Sequence, residues 1–219
     1  MNDKSKTAFY GAGLSLVIGY LLSYVSTAVI TGMVYYISSE TSMSFADYSH
    51  LLYFTPSSLR VAAILCACIF LAIAFYSMSK NLPFIFAILS IALLLGSYVP
   101  DILMNGGFIS VSDPLDPTYL AGTILYSLFW FSFFVLLILS ANLLYSDTES
   151  EKLRTLRKAF FILFGLTVFQ YFMNYLGAHI DFEIETFTAY LVIFDVLLML
   201  ELVCAVATGI IFIISAHQK

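Results

Sequence analysis

Few residues of this chain could do chemistry in an apolar setting, and two of them share one stretch. In Tyr-Leu-Val-Ile-Phe-Asp-Val-Leu-Leu-Met-Leu-Glu-Leu-Val, positions 190–203, Asp195 and Glu201 interrupt a run of residues that otherwise partition into oil. An ionisable side chain at the centre of a transmembrane helix costs about 2.5–3.5 kcal/mol on insertion scales, so it turns toward protein or water and finds a partner. On a helix the six-residue gap separates the two acids by about 9 Å along the axis and about 120° around it. Carboxylates that share a proton must nearly touch, and a glycosidase-like acid/base pair must face one substrate. Neither arrangement fits this spacing, so each acid needs its own partner.

Apart from Arg157 and Lys158 at the inner start of the fifth apolar segment, Arg60 is the one cation inside the apolar segments, and we expect it to pair with Asp195 in the outer half of a helix bundle. Glu201 has no cation at its depth and needs hydrogen-bonding neighbours instead. Thr167, Gln170 and Asn174 supply them on another segment: Gln170 and Asn174 are spaced i, i+4, and with Thr167 they form a polar stripe on an apolar helix. Tyr126, Ser127 and Ser132 are further candidates. Polar stripes of this kind are also routine interhelical glue, worth about 0.6 kcal/mol per hydrogen bond. A midplane carboxylate facing the stripe shifts the reading toward a site that binds a proton or cation.

Other chemistry lacks its residues. Cys66 and Cys68 lie about 200° apart on one helix and Cys204 on another, so no structural disulfide is expected. His50, His179 and His217 fall in loops or at an end, without the fixed helical spacing of haem, di-iron or zinc sites. There is no HExxH, GxSxG or P-loop, and no Asp-rich prenyl-transfer motif. No catalytic residue, metal ligand or cofactor is therefore assigned. Glu185-Thr186 followed by Phe194-Asp195-Val196-Leu197 resembles the last helix of microbial rhodopsins. That resemblance implies a retinal-bearing Lys where Met199 stands, so no Schiff base can form here.

The elements that carry these residues follow from composition. Of 219 residues, 61% are hydrophobic and 11% charged, and mean hydropathy is +0.97. A soluble domain has about 25% charged residues, so this is an integral membrane protein. Six apolar segments, about 8–38, 57–79, 83–100, 118–145, 156–178 and 185–215, predict an all-α polytopic bundle of six transmembrane helices in a single membrane domain, 1–219. Thr55-Pro56 is expected to open the second helix, Asn81-Leu82-Pro83 to turn into the third, and Pro100-Asp101 to end it. Residues 44–54, rich in tyrosine and leucine, suggest a short interfacial helix. Ala63 and Ala67 on the second helix, and Ala205 and Gly209 on the sixth, follow small-xxx-small spacing and predict a close contact between these two helices.

Charge sets the orientation. With the amino terminus inside, Lys4, Lys6, Lys80, Lys152, Arg154, Arg157, Lys158 and Lys219 are all inner, eight of the nine Lys and Arg residues. The positive-inside rule then makes both termini cytoplasmic. The outer face carries Glu40, Asp47, Asp101, Asp113, Asp116, Asp181, Glu183 and Glu185 and no Lys. Such a rim can concentrate cations or dock a basic partner. The first apolar run, about 30 residues, exceeds the 7–15 of a cleaved signal core and is expected to stay as a signal anchor. Nothing at the carboxyl end fits a lipid anchor.

These observations predict a multi-pass protein of the plasma or inner membrane, in contact with lipid and not with nucleic acid. It is expected to move a proton, cation or small solute past a midplane carboxylate. Alternatively, it is a non-catalytic subunit or assembly factor of a larger membrane complex.

Overall fold

A computed structural model describes residues 2–40, 49–105, 117–144 and 184–218, and the described residues are all-helical, with no strand among them. The helices are α1 (Asp3–Glu40), α2 (Ser49–Ser77), α3 (Asn81–Asn105), α4 (Pro117–Leu144) and α5 (Ile184–Gln218). Four of them contain spans long and apolar enough to cross a membrane: Asp3–Ile37, Ser58–Ser77, Asn81–Tyr98 and Ile124–Leu143. In α5 the described apolar stretch, Met199–Ile214, is shorter than these spans. The segment 156–178 lies outside the described residues.

Several helix ends differ from the sequence expectation, each for a physical reason. α1 begins at Asp3 because Asn2 caps it: the Ser5 backbone N–H donates to Asn2 Oδ1 at 2.8 Å, and the Lys6 N–H to the Asn2 carbonyl at 3.1 Å. α2 does not open at Thr55-Pro56 but earlier, at Ser49, and absorbs the second half of the expected interfacial helix. α3 does not stop at Pro100 and runs on to Asn105. An internal proline removes one backbone donor, and membrane helices tolerate this because neighbours and local adjustment satisfy the freed group.

The turn between α2 and α3 is closed by backbone geometry. Ser79 adopts φ 55°, its N–H donates to the Tyr76 carbonyl at 3.1 Å, and the Lys80 N–H donates to the Phe75 carbonyl at 2.9 Å. That pair of bonds is the Schellman closure of a helix carboxyl end, with Ser79 in the left-handed position that most often holds glycine.

The chain divides into two compact units, residues 1–74 with 205–219, and residues 75–204. In the first unit α1 runs antiparallel to both α2 and the end of α5. Gly11 faces Phe70 and Gly19 faces Ala63, while Gly13 faces Gly209 and Ile213. Phe9 packs on Phe212 with ring centroids 5.8 Å apart, and Tyr10 meets His217 edge-on at 5.7 Å. The start of α1 and the end of α5 therefore lie at the same end of this unit. The small-residue stripes on α2 and α5 were expected to meet each other. Ala63 faces Gly19 and Gly209 faces Gly13, both on α1, whose missing side chains let the backbones approach.

In the second unit α3 and α4 form an antiparallel pair. The buried face of α3 is Pro83, Ala87, Ser90, Leu94 and Ser97, and that of α4 includes Phe129, Ser132, Phe133, Leu136 and Ser140. Both follow the three- and four-residue steps of a helix stripe.

Candidate functional site

Glu201 lies on α5, and its side chain is 8% exposed. The helix explains how a carboxylate is kept from the apolar surroundings. Val196, Met199, Leu200, Val203, Ile210 and Ile214 are exposed, and at 100° per residue they form one stripe. Glu201, Thr208, Phe212 and Ala216 are buried and fall on the opposite stripe. The carboxylate thus shares its face with packed residues and stands away from the apolar surface.

The other expected site residues are less fully placed. Arg60 is half-buried near the start of the Ser58–Ser77 span, and it belongs to the first unit, whereas Glu201 belongs to the second. Asp195 is in α5, but its side chain lies outside what is described, so the expected Arg60–Asp195 pair does too. Thr167, Gln170 and Asn174 are outside the described residues.

Ser132, a candidate neighbour for Glu201, is engaged in the α3–α4 seam. Ser90 donates to the Phe86 carbonyl at 2.8 Å, the Ser90 and Ser132 hydroxyls are 2.9 Å apart, and Ser132 also approaches the Phe86 carbonyl at 3.3 Å. With the Ser90 proton on Phe86, Ser132 is the donor between the two hydroxyls. This closed triad is buried and joins two helices, which is the chemistry of interhelical glue. Its sequence signal was a serine on each apolar helix, with nothing to show that they meet.

None of Cys66, Cys68 and Cys204 is in a disulfide. Trp130 packs among Tyr126, Phe129 and Phe133, and its Nε1–H is buried without an acceptor. Among the described residues no group of three or more His, Cys, Asp or Glu side chains is placed to hold a metal ion.

Comparison with protein families, curated proteins and solved structures finds no match for this chain.

Proposed function

We propose that this protein moves a proton, a cation or a small solute across a membrane, with Glu201 as the intramembrane group that binds it. The observation that carries the reading is the burial of Glu201 on the α5 face opposite the exposed apolar stripe. A carboxylate at this depth costs free energy that packing alone does not recover, so a binding role accounts for its presence. The accompanying topology has six spans, the fifth within 156–178, and both termini on the cytoplasmic side of a plasma or inner membrane. The meeting of Tyr10 and His217 at one end of their unit supports an even number of crossings. The inner distribution of Lys and Arg supports the orientation.

The test is flux in reconstituted vesicles. Glu201→Gln should remove most of the proton or cation flux while yield and melting temperature stay near those of the parent protein. Flux equal to that of the parent would end the reading.

One observation favours a second reading, a non-catalytic subunit of a larger membrane complex. The outer half of α1 exposes Val29, Met33, Tyr35 and Tyr36, the last three by 62%, 73% and 67%. Its 38 residues span about 57 Å, beyond a bilayer of about 40–45 Å. A projecting apolar and aromatic surface suits contact with a membrane partner, or with a basic one at the acidic outer rim. On this reading a stoichiometric partner co-purifies after mild solubilisation, and a stable lone monomer counts against it.

A further inference from the structure

Between the α2–α3 turn and the end of α4 lies an open cavity of about 420 Å³. The turn joins two membrane spans, Ser58–Ser77 and Asn81–Tyr98, so the cavity sits where the hydrocarbon ends. Its polar lining includes Lys80, Asn81 and Asn142, and its apolar lining Leu82, Leu139 and Leu143. Among the described residues of that lining, Lys80 is the only charged one.

One wall is built for an anion. The first amides of a helix have no acceptor within it, and the dipole is positive there. In α3 the Phe84 N–H is taken by the Lys80 carbonyl at 3.2 Å, which leaves Asn81 and Leu82 as the opening amides, since Pro83 has none. The carboxamides of Asn81 and Asn142 add side-chain donors beside the ammonium. The opposite wall is the last turn of α4, which contributes Leu139, Asn142 and Leu143. The leucines offer apolar surface that a free inorganic anion cannot cover and that acyl carbon atoms can.

We propose that this cavity binds an anionic glycerophospholipid from the bilayer, with its phosphate at Lys80 and the first acyl carbons on Leu82, Leu139 and Leu143. The inward bias of the cations puts this turn at the cytoplasmic leaflet, where anionic headgroups are found.

The experiment is native mass spectrometry of the full chain in detergent, titrated separately with phosphatidylglycerol, phosphatidylcholine and inorganic phosphate. One phosphatidylglycerol should be retained in preference to phosphatidylcholine, and inorganic phosphate should not compete with it. Lys80→Gln should weaken retention roughly five-fold, the effect of one cation near anionic lipid, Lys80→Arg should restore most of it, and Lys6→Gln should leave it unchanged. Equal losses in Lys6→Gln and Lys80→Gln would overturn the proposal in favour of diffuse surface charge. Effective competition by inorganic phosphate would overturn it in favour of a free-anion site, and equal retention of phosphatidylcholine would remove the role of charge.

Discussion

Ser79 holds a left-handed backbone, φ 55°, which costs an L-residue about 1–2 kcal/mol relative to a right-handed conformation. Glycine carries no such penalty, so Ser79→Gly should stabilise the protein by up to about 1 kcal/mol, offset in part by the greater freedom of glycine in the unfolded chain. A rise in melting temperature in detergent checks this, and a fall would mean that the Ser79 side chain matters more than its backbone. Ser132→Ala should cost about 0.6 kcal/mol, the usual worth of an interhelical hydrogen bond in a membrane protein. Double-mutant coupling with Ser90→Ala should be of the same size, and strict additivity would show that the two hydroxyls do not act together. Residue-scale legibility divided along physical lines. The burial of Glu201 follows from the cost of exposing a carboxylate to lipid, so the sequence alone indicates it. The strain at Ser79 and the meeting of Ser90 with Ser132 depend on backbone path and helix register, which residue types do not encode singly.

Helix contacts in the first unit depend on missing side chains. A Cβ added to Gly13 would strike the Gly209 carbonyl and stand 2.9 Å from Ile213 Cγ1, and one added to Gly209 would stand 2.6 Å from the Gly13 carbonyl. Each glycine therefore aims a Cα–H at the carbonyl of the other, a reciprocal weak hydrogen bond found where helices pack backbone to backbone. Gly13→Leu and Gly209→Leu should each cost about 1–3 kcal/mol through overpacking and helix displacement. Gly96→Ala and Gly32→Ala serve as controls: the added Cβ at Gly96 meets Leu125 Cδ1 at an ordinary 3.6 Å, and at Gly32 it meets nothing within 4 Å. Thermal unfolding should separate the two pairs, the controls staying level or gaining up to about 1 kcal/mol of helix propensity. A loss as large in the controls would remove the close-approach argument. The small-residue spacing on α2 and α5 was readable, and α1 carries the same spacing toward α2 at Gly11, Ser15 and Gly19, whereas Gly13, which meets Gly209, lies off that stripe. Helix ends were misjudged where proline served as the marker: Pro56 and Pro100 lie inside α2 and α3. In water a proline ends most helices, whereas a membrane bundle satisfies the freed carbonyl.

At the scale of the whole molecule, composition and hydropathy made the membrane class legible, because no soluble fold can hide so much apolar surface at this length. The path of the chain through the bilayer is less legible, since it rests on a charge bias and on segment lengths. The antiparallel packing of α1 on α2 bears on one part of that path: within the first unit the start of α1 lies toward Phe70 and the later part of α2, away from Ala63. Single-cysteine variants, made after replacing the three native cysteines, can read this with a membrane-impermeant maleimide. Lys4→Cys, Met78→Cys and Gln218→Cys should react only from the inner side, and Ser110→Cys only from the outer side. Thr148→Cys and Glu183→Cys bracket the segment 156–178; they should react from the inner and outer sides respectively, as a fifth crossing requires. Labelling of both from one side would reduce the crossings within 145–218. The inner placement of Gln218 would then conflict with an unbroken α5 span, and Glu201 would lose the midplane depth on which its proposed role depends.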